Sequence, residues 1–141
     1  KKEGDIIKST RREVSRFLTN LRFILTEKNF DTDRDLLLIK KRKKHKTEFS
    51  TDYTLLSLNY DRFDIVERLK ALTLEDYSHT LFDYQDVDPP LLFVFGKYIC
   101  AREVYIKIKI RCRDACSQVI CVSFHYAEHP LNHPYQCNDR V

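Results

Sequence analysis

Methionine and tryptophan are absent from the 141 residues, glycine occurs twice and proline four times. So little glycine and proline excludes a collagen-like repeat and a linker-rich architecture. No apolar run approaches the ~20 residues that a membrane-spanning helix requires. Lys1, Lys2, Glu3 and Asp5 are charged, where a secretory signal would place an apolar stretch. With no Met at position 1, the sequence is expected to begin after a missing start or a trimmed tag, which bears on no function. The cysteines number five, and an odd count without a signal peptide argues against a disulfide framework and for a reducing cytoplasm. Also missing are a Walker phosphate loop and the patterns GxGxxG, HExxH, GxSxG and CxxC, so no nucleotide, zinc-protease or serine-hydrolase signature is on offer.

What is present points to a globular unit. The chain is 43% hydrophobic and 33% charged, enough apolar material for one core and too much for a disordered chain. A single domain over residues 1–141 is expected, with a flexible stretch at 1–8 and a C-terminal tail at 126–141. The net charge of +4 matters less than its distribution. Residues 40–46 form a dense basic run, and Arg102, Lys107, Lys109, Arg111 and Arg113 are interleaved with apolar residues. Acidic residues collect at 31–35, 61–67 and 83–88. Such a split assigns one face to a polyanion and leaves another indifferent to it.

The periodicity predicts an amphipathic helix over 9–28, opened by capping-box spacing at Thr10 and Glu13 and lined by Val14, Phe17, Leu18, Leu21, Ile24 and Leu25. Leu36 to Ile39 read as a short buried strand. Residues 49–58 fit either a helix or a strand. A second helix is expected over 61–72 with Asp61 as its cap. Thr73 and Asp76 suggest a further cap, opening a short helix through about His79. Residues 83–90 are acidic, end in Pro89-Pro90 and read as a loop. Leu91 to Phe95 read as a buried strand with a turn at Gly96, and Cys100 and Cys121 as small hydrophobes within strands. Residues 102–111 alternate cleanly, residues 118–125 read as the next strand, and 114–117 as the turn between them. Helices followed by an antiparallel meander describe an α+β fold, with N-terminal helices packed on a small antiparallel sheet.

The hairpin carries the functional argument. With Val104, Ile106, Ile108 and Ile110 turned to the core, a hairpin centred on Ala115 pairs Tyr105 with His125, Lys107 with Ser123, Ile106 with Phe124 and Ile108 with Val122. The opposite face then carries Tyr105, His125, Lys107, Lys109 and Arg111. Cutting RNA without a metal requires a base for the ribose 2′-OH, cations for the scissile phosphate and an acid for the leaving 5′-oxygen. Imidazole suits proton transfer near neutrality, Lys and Arg suit phosphate, and Tyr can stack on a base. The same residues also describe an ordinary solvated sheet face.

The stretches Leu72-Thr73-Leu74-Glu75-Asp76-Tyr77, Phe95-Gly96-Lys97, Val104-Tyr105-Ile106-Lys107 and Val122-Ser123-Phe124-His125 resemble, in order and spacing, the MqsR-type toxins of bacterial toxin–antitoxin systems. The resemblance covers about the last half of the chain. It implies a RelE-like fold, a metal-independent mRNA interferase activity with no cofactor, and a cognate antitoxin protein as partner. It sets Tyr105 at that family's catalytic tyrosine, His125 where a basic residue follows Ser-Phe, and His79 where a lysine stands on the short helix. The chain departs from the family near Leu92, where a glutamine is expected, and in its longer N-terminal part.

The expected site is therefore His79, Tyr105 and His125 as catalytic residues, with Lys97, Lys107, Lys109 and Arg111 holding RNA. His79 and His125 would share acid and base duty, and Tyr105 would orient the 2′-OH or a base. Two other readings stay open. One is a non-catalytic module gripping nucleic acid or regulating a partner protein; separately, residues 40–46 either track the phosphate backbone for a nucleic-acid enzyme or simply form a solvated loop. The other is a zinc hydrolase using His125, His129, His133 and Cys137, which recur at steps of four, with Cys112 and Cys116 as further ligands. Pro130 and Pro134 interrupt that spacing as a helix. Asp83, Asp86 and Asp88 lack the Gly and terminal Glu of a calcium loop.

Overall fold

A computed structural model describes residues 5–40, 47–113 and 115–137. Among these, α1 (Arg11–Leu25), α2 (Thr32–Asp35), α3 (Thr51–Leu58) and α4 (Arg62–Lys70) accompany six strands: β1 (Ile6–Ile7), β2 (Leu36–Leu38), β3 (Tyr77–Phe82), β4 (Leu91–Ile99), β5 (Arg102–Arg113) and β6 (Cys116–Tyr126). The strands form one sheet in the order β1-β3-β4-β5-β6-β2. The sheet is mixed rather than antiparallel: β2 runs parallel to β6 and the other pairs are antiparallel.

The parallel pair follows from the path of α1. The chain enters at one edge, in β1, and next joins the sheet at the other, in β2. Fifteen helical residues span about 22 Å, close to the roughly 24 Å width of five strand gaps. The helix starts as its sequence predicts: the Thr10 hydroxyl accepts from the Glu13 amide at 3.1 Å, and the Glu13 carboxylate accepts from the Thr10 amide at 2.8 Å. Val14, Leu18, Leu21 and Leu25 share one buried cluster with Ile65 and Leu69 of α4 and with Phe95, Val104, Ile106, Ile108 and Phe124 of the sheet. Phe17 stacks on Phe93 with ring centroids 4.1 Å apart. We call this side of the sheet the core face.

Residues 49–58 resolve into α3, whose two threonines close the sheet edge. Beyond β2, the backbone amides of Phe124 and Tyr126 on β6 have no strand partner. Thr51 Oγ1 accepts from the first at 3.3 Å and Thr54 Oγ1 from the second at 2.9 Å. Side-chain acceptors thus replace a strand at an exposed edge.

Four sequence expectations are corrected. Residues 73–79 are not a helix: Thr73 and Asp76 do close a capping box, but only around the single 3-10 turn Leu74–Asp76, and Tyr77 already belongs to β3. Gly96 lies inside β4, and the turn falls at Cys100 and Ala101, whose φ values are 52° and 68°. Cys100 is accordingly exposed. Ile108 pairs with Cys121 rather than Val122, because β6 bulges between the Lys107 and Ile108 pairings. Cys121 does behave as a hydrophobe: it is fully buried, and burial pushes its thiol pKa up to about 12. Of the basic run, residues 41–46 lie outside the described residues, and Lys40 pairs with Asp52 at 3.1 Å. Among the described residues no helix is long and apolar enough to cross a membrane.

Candidate functional site

The second face of the sheet is built in rows. One row runs Gly96, Tyr105, His125; the next runs His79, Val94, Lys107, Ser123; beyond it Leu81 pairs with Leu92, and Lys109 with Ile120. The register expected for Tyr105 with His125 and for Lys107 with Ser123 is the one observed. His79 joins them because β3 carries a bulge between Tyr77 and His79, which places Ser78 opposite no residue of β4 and turns His79 to the same side as Val94.

Tyr105 and His125 stack nearly parallel, with centroids 5.1 Å apart and planes 10° apart. The ammonium of Lys107 lies 5.8 Å from the Tyr105 ring centroid, within the range in which a cation is attracted to an aromatic face. Lys107 is only 3% exposed and Ser123 5%. Ser78 Oγ lies 2.8 Å from His79 Nδ1, and His125 Nδ1 lies 3.0 Å from the carbonyl of Tyr126. This is not an open solvated face: its middle is an apolar patch of Leu81, Leu92 and Val94, against which Tyr105 and Val122 pack.

Two segments wall the patch. At one end lies the loop of residues 83–90. Lys109, 2% exposed, donates to Asp83 Oδ2 at 2.8 Å and to the carbonyls of Asp86 at 2.8 Å and Pro89 at 3.0 Å. Arg111 donates to the Asp88 carbonyl and to the Asp86 carboxylate, and Arg113 pairs with Asp88 at 3.0 Å. Burial opposes ionisation of Asp86, but the Asp88 amide, Lys109 and Arg111 outweigh it and hold its carboxyl below the usual carboxylate range.

At the other end runs the tail. Glu103 accepts from the Leu131 amide at 3.1 Å through Oε1 and meets His133 Nε2 at 2.8 Å through Oε2. Leu131 and His133 lie directly over Gly96, where a Cβ would come within 2.6 Å of Leu131 Cδ1 and of Glu103 Oε2. The absence of a side chain at Gly96 is therefore what seats the tail. Further on, Tyr135 stacks on Tyr77 with centroids 5.7 Å apart and donates to the Ser9 carbonyl at 2.7 Å.

No family model matches the chain, and no curated protein and no solved structure matches it. The functional reading therefore rests on the site itself.

Of the expected site residues, the structure brings His79, Tyr105, Lys107 and His125 onto one face. Lys109 and Arg111 share that face but are engaged by the acidic loop. Lys97 lies on the core side, opposite Val104, and its ammonium reaches Asp76 at 3.2 Å and the Ala71 carbonyl at 3.3 Å. The four tail positions suggested for zinc do not converge: among the described residues no group of three or more His, Cys, Asp or Glu side chains is placed to hold a metal. Cys116 pairs with Arg113, eight residues along β5 from Tyr105 and so roughly 27 Å from the Tyr105–His125 pair.

Sequence reasoning missed Ser78, the Glu103–His133 clamp and the docking of the acidic loop. The last had a signal. Lys109, Arg111 and Arg113 recur every second residue on one face, and Asp83, Asp86 and Asp88 supply three acids within six residues.

Proposed function

We propose that the chain is a metal-independent endoribonuclease with a RelE-like arrangement, the toxin of a toxin–antitoxin pair that acts on mRNA in the cytoplasm and is neutralised by a cognate antitoxin protein. One observation carries the reading: a stacked tyrosine–histidine pair with a buried lysine ammonium 5.8 Å from the tyrosine ring, on one face of a walled patch. An ammonium is a cation of the kind that suits a scissile phosphate. His125 is the group suited to take the 2′-OH proton, Lys107 the group suited to offset the phosphorane charge, and Tyr105 supplies a ring face for a base and a hydroxyl for the ribose. Lys109 and Arg111 reach phosphate only where the acidic loop gives way, and Lys97 acts from the other face, on the turn that precedes β3.

The test is incubation of the purified protein with a long single-stranded RNA in excess EDTA, with the product ends mapped. Discrete cuts ending in 2′,3′-cyclic phosphate are expected, with a loss of roughly 100- to 10,000-fold in His125→Ala, the usual range for a general base. Unchanged cutting by a folded His125→Ala protein would refute the assignment. Intact RNA with salt-sensitive binding would favour a non-catalytic nucleic-acid module.

A further inference from the structure

Lys109, Arg111 and Arg113 stand at every second position of β5, on one face and about 7 Å apart, the order of the spacing between successive phosphates of a single strand. Each is met by an acid of the 83–90 loop, but the three contacts are unlike. The side chain of Lys109 is 2% exposed, that of Arg111 13% and that of Arg113 61%. The row thus runs from a buried end to an open one at the hairpin tip.

The loop is built from the buried end. The Asp83 amide donates to the Pro90 carbonyl at 2.7 Å and closes its base. Asp83 Oδ1 accepts from the amides of Gln85 and Asp86, both at 3.1 Å, while Oδ2 accepts from Lys109. The carboxylates of Asp86 and Asp88 reach outward instead, to Arg111 and Arg113, and their side chains are 48% and 67% exposed. An ion pair at such exposure adds little net stability, because water competes for its partners. These carboxylates can therefore turn into water while Lys109 keeps the loop backbone in place. A guanidinium offers the same fork of donors to a phosphate as to a carboxylate.

We propose that Arg111 and Arg113 form a binding surface for the phosphate backbone of a single-stranded RNA, and that Asp86 and Asp88 are its built-in competitors, which the backbone displaces. The exchange is ligand for ligand: a carboxylate leaves each arginine and a phosphate takes its place. Arg111 lies six residues along β5 from Tyr105, about 20 Å, so a strand that crosses the row reaches the candidate site within a few nucleotides. While the carboxylates are seated the row is neutralised and exerts little long-range pull on polyanions. The choice of RNA as occupant rests on the ribonuclease reading; the exchange itself does not.

A 2′-O-methyl oligoribonucleotide is the probe, because it lacks the 2′-hydroxyl that cleavage needs. Asp86→Asn with Asp88→Asn should bind it about 10-fold more tightly at low salt, with a log–log salt slope steeper by about 1.4, two cations at ~0.7 each. Adding Arg111→Gln and Arg113→Gln should abolish the gain. Glu67→Gln with Glu75→Gln removes the same charge from exposed positions on α4 and on the turn before β3, and should gain about 2-fold at most. An equal gain in that control, or a gain that survives loss of both arginines, overturns the proposal. In the unaltered chain the Nε–H signals of Arg111 and Arg113 should shift on adding the probe; stationary signals, or no binding, overturn it without recourse to any variant. Polyglutamate binding as tightly as the oligonucleotide would assign the row to an acidic protein and overturn the nucleic-acid occupant. A chain that binds the probe through the row yet cuts no unmodified RNA would overturn the ribonuclease reading and support the surface.

Discussion

Lys109 offers a sharp test of how the acidic loop is held. Its ammonium is 2% exposed and all three of its hydrogens are used, on Asp83 Oδ2, the Asp86 carbonyl and the Pro89 carbonyl, at 2.8, 2.8 and 3.0 Å. Asp83→Asn keeps an oxygen acceptor and the side-chain volume and removes only the charge. At 2.8 Å the gross attraction is about 6 kcal/mol with an effective dielectric of 20. Desolvation of both partners has already consumed much of that, and the carboxylate of Asp86, 3.5 Å from the ammonium, remains to offset part of the loss. The charge deletion is therefore expected to cost about 2–4 kcal/mol, at or just below the range for breaking a buried pair. For a chain of this size that lowers Tm by roughly 4–16 °C, read by circular dichroism and by urea unfolding. Adding Lys109→Met should recover most of the loss, because an unpaired buried charge is worse than none. Asp83→Asn within about 0.5 kcal/mol of wild type, or a double variant less stable than the single, would refute the argument.

Thr54→Val removes the acceptor from the buried Tyr126 amide at the open edge of β6; about 1–3 kcal/mol should be lost in urea unfolding. Gly96→Ala forces a methyl against Leu131 and Glu103, so the tail should lift; hydrogen exchange at the Leu131 amide should accelerate, with about 1–3 kcal/mol lost from overpacking. Asp35 and Asp86 both have carboxyl groups held below their usual range, the first chiefly by its bonds to Arg34 working against burial. A depressed folded-state pKa contributes stability that is complete above the unfolded value near ~4 and drains away as pH falls towards the folded value. Denaturant midpoints should thus hold steady down to about pH 4 and drop below it, and Asp86→Asn should make that drop shallower.

The features legible in the sequence are those set by neighbours along the chain. The Thr10–Glu13 box, the Asp61 cap, the stripe of α1 and the alternation of β5 all follow from local spacing, and each is present. The Tyr105–His125 pairing was legible for the same reason, since a strand with one apolar face fixes its own register. The bulge at Val122 was not, because inserting one residue between two apolar runs leaves the hydrophobic count unchanged. His79 shows the other limit. The Thr73–Asp76 box is a genuine local signal, yet it closes only one turn. The polar run Ser78-His79-Thr80 hides a strand, because its bulge breaks the alternation by which a strand is recognised.

The walls of the site depend on contacts between distant segments, which no local pattern encodes. Gly96 read as a turn because glycine usually signals backbone freedom. Its actual role is to leave room for Leu131, 35 positions later in the sequence. Asp83, Asp86 and Asp88 read as a face indifferent to polyanions, yet their carboxylates sit on three consecutive cations of β5. That placement sharpens the functional argument. Were the whole row Lys107, Lys109, Arg111 and Arg113 open, the hairpin would be a generic basic track with little to locate a reaction. Three of the four are tied to aspartates of the loop, and Lys107 is the member of the row that sits beside the Tyr105 ring. On the proposed ribonuclease reading, the reaction belongs to the part of this face that carries His79, Tyr105, Lys107 and His125.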